Sequence, residues 1–202
     1  MKTKRAPAPR GRPRAFDADK ALDRALLAFW RKGYEGTSLT DLTRAMGINR
    51  PSLYAAFGDK EALFRKVLDR YEEQQAASVE DAHRAPTPRG FVERLLTGAA
   101  EWHTDPRTPA GCLMVSGALA CGDTASTIRK ELSARRAASE ACIRRHLEEA
   151  RSAGDLPADV DPAGLARYVI TVIRGMAVQA AGGATRKELK AVVQTAMRAW
   201  PT

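Results

Sequence analysis

From Asp17 onward the chain sets apolar residues three and four positions apart. Leu22, Ala25, Leu26, Phe29 and Trp30 fall on one face of a helix. Asp17 stands where an N-cap belongs and Gly33 where a helix stops. The stretch "TSLTDLTRAMG" repeats the pattern, with Ser38 as cap and Asp41 three residues on, a variant of the capping box. Leu39, Leu42 and Met46 form its buried stripe, and Gly47 breaks it. "NRPSLYAAF" predicts a third, short helix capped by Asn49. Asp59 then caps a longer one, "KEALFRKVLDRYEEQQAA", with Leu63, Val67, Leu68 and Tyr71 along one side.

Beyond the linker "HRAPTPRG" the pattern predicts a helix near 89–103, a Pro/Gly-punctuated turn through "TDPRTPAG", and a short helix carrying "CLMVSGALA". A long helix from about 124 to 153 bears Ile128, Leu132, Cys142, Ile143 and Leu147 on a drifting stripe. Asp161 followed by Pro162 is a start signal, a cap with proline at the first helical position. The helix it opens, near 162–181, is apolar over most of its circumference, and a last helix runs near 186–199. Strict two-residue alternation is absent throughout, so the expected fold is all-α. Its domains are a disordered basic arm (1–15), a three-helix helix-turn-helix unit (16–60), a connecting helix (61–80) and a helical effector-binding and dimerisation body (81–202).

Charge sharpens this division. The 202 residues carry a net +9, with 13 Lys/Arg against 6 Asp/Glu in residues 1–60 and 20 against 18 in the remainder. A polyanion partner is therefore expected for the N-terminal part, and a basic tail that only aids solubility is the bland alternative. Cys112, Cys121 and Cys142 show no zinc-ligand spacing, and their odd number argues against a disulfide framework. The three histidines have no metal spacing either, so neither metal nor cofactor is expected. No apolar run is long enough to span a bilayer, and the N-terminus has no hydrophobic signal segment. The expectation is a cytoplasmic protein with no membrane partner. Paired carboxylates in an apolar setting, a nucleophile elbow and a metal cluster are all missing, so an enzyme is not expected.

Two helices separated by "GIN", the second short and bearing Arg, Ser and Tyr, fit a helix-turn-helix. Ser38, with the N–H groups opening its helix, suits a phosphate, and Thr37 offers a further hydroxyl. Tyr54 and Lys60 suit two more phosphates. Arg50 and Ser52 carry donors for base edges, while Leu53 and Phe57 face the unit's own core. The run "GRPRAFDADKALDRALLAFWRKGYEGTSLTDLTRAMGINRPSLYAAFGDKEALFRKVLDRY" resembles the DNA-binding domain of the tetracycline-repressor (TetR) family over residues 11–71. That resemblance implies Thr37, Ser38, Tyr54 and Lys60 as phosphate contacts and Arg50, Pro51 and Ser52 as base-facing positions. Ala55 and Ala56 fall where many members carry bulkier side chains, which leaves few base-reading groups. "PRGRPR", with Arg12 and Arg14, resembles basic arms that reach the minor groove in some members.

The resemblance also implies that the remaining helices form a ligand-binding and dimerisation body. The pieces "GCLMVSGAL" and "RGMAVQAAGGATRKEL" resemble ones seen in the family. A homodimer is expected independently, because a helix apolar all round must be buried. Val169, Ile173, Leu189, Val192, Val193 and Met197 are the candidate interface. Candidate ligand contacts are Trp102, His103, Cys112, Met114, Cys121, Tyr168 and Met176, each with ordinary core packing as its alternative. The expected function is an operator-binding transcription regulator, a repressor released from a pseudo-palindromic double-stranded operator by a small-molecule effector. Two alternatives stand beside it: a thiol-based redox regulator using Cys112, and a non-specific architectural DNA binder, which the balanced charge of residues 61–202 disfavours.

Overall fold

The structure is a computed structural model that describes residues 16–119 and 125–201, without the side chains of 117–119. Every regular element among them is a helix: α1 (Ala18–Lys32), α2 (Leu39–Met46), α3 (Arg50–Phe57), α4 (Lys60–His83), α5 (Pro88–His103), α6 (Leu113–Leu119), α7 (Ser126–Ala153), α8 (Pro162–Ala181) and α9 (Arg186–Arg198). None is long and apolar enough to cross a membrane.

The caps explain most of these boundaries. The Asp17 carboxylate accepts from the Asp19 and Lys20 N–H groups, both at 3.1 Å. Ser38 and Asp41 form a full capping box on α2. Asn49 accepts from Ser52 N–H at 2.8 Å, and Asp59 from Ala62 N–H at 2.8 Å. Asp161 accepts from the N–H groups of Ala163 and Gly164. Each satisfies donors that an uncapped first turn would leave orphaned. A second capping box, Thr185 with Glu188, starts α9.

Two hydrophobic cores result. The first collects Leu26, Phe29 and Trp30 of α1, Leu42 and Met46 of α2, Leu53 and Phe57 of α3, and Leu63, Phe64, Val67, Leu68 and Tyr71 of α4. The first half of α4 is thus part of the helix-turn-helix core. Phe64 packs edge-on against Phe29, with ring centroids 4.9 Å apart. Leu113, Met114, Ile128 and Leu132 of α6 and α7 close the same core from the body side. The second core joins Phe91, Val92 and Leu96 of α5 to α7, α8 and α9.

Tyr71 stands where the two halves meet. Its ring packs edge-on against Trp30 of α1 at 4.9 Å and against Trp102 of α5 at 5.7 Å, and the two indoles stack at 5.8 Å. The turn between α5 and α6 is seated equally closely on α8. Gly111, at φ +91°, leaves room for no Cβ, which would lie 3.0 Å from the Ala177 carbonyl oxygen. The Gly111 N–H donates to His103 O at 3.1 Å.

Because Phe64 is fully buried between Phe29 and Tyr34, Phe64→Ala is expected to lower the unfolding free energy by about 3–5 kcal/mol. Urea denaturation followed by circular dichroism measures it, and a loss below about 1 kcal/mol would place α4 outside the helix-turn-helix core.

Candidate functional site

The exposed face of the helix-turn-helix is set by which residues its core removes. On α3, Leu53 and Phe57 are buried, which leaves Arg50, Pro51, Tyr54 and Ala55 on the outer side. These positions are one residue and one turn apart, so they share a face. Tyr54 is 49% exposed. Ser52 is half-buried beside them, and Ala56 packs inward against the first core. Of the two alanines, only Ala55 belongs to the outer face. The turn before α3 is held by Gly47 in the left-handed conformation, φ +70°, whose N–H returns to Thr43 O at 3.0 Å. The Arg50 guanidinium donates to Thr40 Oγ1 at 3.0 Å, which ties the start of α3 to α2.

The phosphate candidates differ in availability. Tyr54 is free to reach outward. The Ser38 hydroxyl and N–H both donate to the Asp41 carboxylate, at 2.7 and 3.0 Å. Asp41 in turn accepts from Lys32 Nζ at 2.8 Å, and Lys32 and Ser38 together hold its carboxyl well below the usual range. Lys60 lies half-buried with its ammonium 4.4 Å from the Tyr34 ring centroid. Burial lowers its pKa, and Glu35 partly offsets the shift. Thr37 does not fit the expected role: it is fully buried, and its hydroxyl donates to Gly33 O at 2.6 Å. It closes the loop between α1 and α2 and presents nothing to a phosphate. Arg12 and Arg14 lie outside the described residues.

A cavity of about 340 Å³ opens inside the body between α4, α5, α7 and α8. Trp102, His103, Cys112 and Met114 line it as expected, with Phe91, Leu95, Ile143 and Ile170 supplying apolar wall. The Trp102 indole N–H donates to Tyr71 Oη at 3.2 Å, and the Tyr71 hydroxyl donates to Cys112 Sγ at 3.3 Å. Burial, reinforced by Cys112, pushes the Tyr71 phenol well above its ordinary range. The His103 Nδ1–H donates to Gly111 O at 3.1 Å, leaving Nε2 buried and without a partner. Burial lowers the His103 pKa from 6.5, outweighing the Gly111 bond that raises it.

Several expected contacts fall elsewhere. Met176 is packed in the second core, and Tyr168 is 41% exposed on the outer side of α8. Cys121 lies outside the described residues. Conversely, Arg136 and Arg174 line the cavity, although neither was expected there. Arg174 in particular had a visible signal, a lone charge inside the apolar run "VITVIRGMAV".

The expected dimer set also needs correction. Val169, Leu189, Val193 and Met197 are all buried within this one chain, and Ile173 faces the cavity. Helix α5 packs between α8 and α9 and covers those faces. The apolar side chains left outside are Tyr168, Val178 and Val192. Tyr168, Val172 and Val192 line a shallow groove between α8 and α9.

Two outcomes follow. Thr37→Val is expected to cost about 1–3 kcal/mol by leaving Gly33 O unpaired, while the salt dependence of DNA binding stays unchanged; a shallower slope would restore Thr37 as a phosphate contact. His103, with its depressed pKa, stabilises the fold above pH 6.5 and loses that contribution as pH falls. In denaturation series at pH 7.5 and 5.5, His103→Gln should therefore show a smaller loss than the parent, and equal losses would contradict the sign.

A model of the tetracyclin repressor-like C-terminal domain matches residues 88–196, and one described as bacterial regulatory proteins, tetR family, matches residues 21–67. The HTH-type transcriptional repressor ComR of Escherichia coli (strain K12) is 37% identical over 194 residues, covering 95% of this chain and 92% of that protein. A cysteine-substituted form of the regulator CifR, solved with 26 bp double-strand operator DNA, is 45% identical with a TM-score of 0.90, over 94% of this chain and all of that one. A TetR regulator from Rhodococcus sp. RHA1 is 44% identical with a TM-score of 0.63, over 92% of this chain and all of that one.

Proposed function

The chain belongs to the TetR family of bacterial regulatory proteins and is a DNA-binding transcriptional repressor, and from that premise we propose how it works. A homodimer sits on a pseudo-palindromic operator, and a small molecule entering the body cavity releases it. In this reading the α3 face enters the major groove. Arg50 takes a guanine edge, Pro51 and Ser52 border it, and the Ala55 methyl meets thymine. Tyr54, the opening of α2 at Ser38, and Lys60, once swung off Tyr34, hold phosphates. Arg12 and Arg14 reach the adjacent minor groove.

Dimerisation is assigned to the outer faces of α8 and α9, where Tyr168, Val172, Val178 and Val192 meet their symmetry mates in a four-helix contact. Half-sites one helical turn apart require two copies in any case. The protein acts in the cytoplasm, where operator DNA is accessible, and no catalytic step is assigned to it.

One observation carries the release step. Tyr71 and Met114 belong to the helix-turn-helix core and line the cavity at the same time. A ligand that displaces either side chain therefore changes the packing under α1. Release needs only a ligand affinity that differs between the DNA-competent state and the other. A thiol-responsive variant of the same reading is favoured by Cys112 and Cys142 lining one cavity, with Arg174 within electrostatic reach of Cys112. It expects an oxidant to release DNA from the parent but not from Cys112→Ser.

For operator reading, Arg50→Ala is expected to reduce discrimination between specific and random DNA by about 1–3 kcal/mol per half-site, and to do so more than Tyr54→Phe. Binding curves on both DNAs at one salt concentration decide it, and equal loss on both would remove Arg50 from the reading set.

A further inference from the structure

Arg135 and Arg136 are neighbours on α7 with opposite surroundings. Arg135 is met by three carboxylates: Asp69 at 2.7 Å, Glu72 at 2.6 Å and Glu131 at 2.8 Å. Arg136 turns into the cavity and, among the described residues, meets none. Its guanidinium donates to the Met114 carbonyl at 3.1 Å. Arg174, from α8, lines the same cavity and donates to the Arg136 carbonyl at 2.8 Å. Glu72 also borders the cavity, but its carboxylate is occupied by Arg135. Glu140, the carboxylate that Arg174 senses, is engaged by Arg167 at 3.1 Å.

Among the described residues, two guanidiniums therefore share a largely apolar space without a counter-charge of their own. Guanidinium does not deprotonate in proteins, so the charge stays. Each retains most of its five donors after the one carbonyl bond. Burial, followed by repulsion from Arg136, lowers the Arg174 pKa. Desolvated like charges are costly until an anion joins them. A planar carboxylate matches the guanidinium fork in two parallel hydrogen bonds. The remaining walls, Phe91, Leu95, Ile143 and Ile170, suit a hydrocarbon body. At about 340 Å³ the space lies at the small end of ligand cavities.

We propose that this cavity is a receptor for a small organic acid, its carboxylate held between Arg136 and Arg174 and its apolar body against α5, α7 and α8. Arg136 links the site to the helix-turn-helix. The group that an incoming carboxylate engages is the group that now holds Met114 O, at the start of α6, and Met114 is part of the core beneath α1. Binding of the acid draws Arg136 from that carbonyl and loosens α6 from the reading unit. This last step rests on the repressor reading above; the binding site does not.

The test uses the full-length protein and a series of straight-chain acids from butyrate to octanoate, with benzoate, each paired with its primary amide. Calorimetry without DNA reads the site alone. The acids are expected to bind roughly tenfold or more tightly than their amides, the scale of one hydrogen bond to a charged group. Arg174→Met and Arg136→Met should each remove that preference, whereas Arg174→Lys should keep part of it. An amide binding as tightly as its acid, no binding by any acid of the series, or an unchanged preference in both methionine variants would overturn the proposal. The acid-against-amide comparison in the unaltered protein stands even if a variant fails to fold. A parallel operator-release assay separates the two readings: acids that bind but release no DNA leave the site standing and refute its coupling to repression.

Discussion

The packing of Tyr71 between Trp30 and Trp102 is the contact on which the two halves of the molecule depend. It is not a joint of convenience at a domain boundary. Tyr71 is almost fully buried, its ring meets two indoles edge-on, and its hydroxyl sits in a chain of hydrogen bonds running from Trp102 to Cys112. Aromatic pairs in these orientations add about 0.5–1.5 kcal/mol each beyond the area they bury. The helix-turn-helix therefore has no complete core without α4, and α4 cannot shift without disturbing a cavity wall. Close-packed aromatic clusters repack between discrete arrangements and do not deform smoothly, so a change in the body would reach the helix-turn-helix as a repacking of this contact.

Electrostatics divides along a different line from packing. Of the 13 Lys/Arg in residues 1–60, six lie in residues 1–15, which contain no Asp or Glu. The rest of this segment is close to neutral, and its acids are largely engaged. Asp41 is held by Lys32, while Asp19 and Asp23 are met by Arg70. The net positive charge of this segment, and with it the long-range attraction for a polyanion, thus resides mostly in residues 1–15. On the proposed reading this allows the DNA-facing surface to be small: Arg50, Pro51, Tyr54 and Ala55 need not supply much of the non-specific affinity.

Local structure was legible in the sequence because caps are local. Asp17, Ser38, Asn49, Asp59 and Asp161 each stand within three residues of the N–H groups they satisfy, so spacing alone identifies them. Thr185 has the same form with Glu188. The buried stripes of α1–α4 were readable for a similar reason. Partner choice was not. Helix α8 is apolar nearly all round, and nothing in its own residues says which side α5 will cover; Val169 and Tyr168 are adjacent, yet one is fully buried and the other faces outward. Thr37 shows the same limit at one residue, since a hydroxyl next to a cap reads as a phosphate donor until its bond to Gly33 O is seen. Arg136 was invisible among the six arginines of α7. Only the fold separates it from Arg135, one position and about 100° away around the helix.

The stacking of Trp30 on Trp102 makes the protein its own optical probe. Two of its three indoles lie together at the seam between cavity and reading unit, while Trp200 packs with the second core. Near-ultraviolet emission and exciton-coupled dichroism from that pair arise from the contact at which the two halves pack together. A change in that contact carries a spectroscopic signature in unlabelled protein, distinct from any signal of the C-terminal helix.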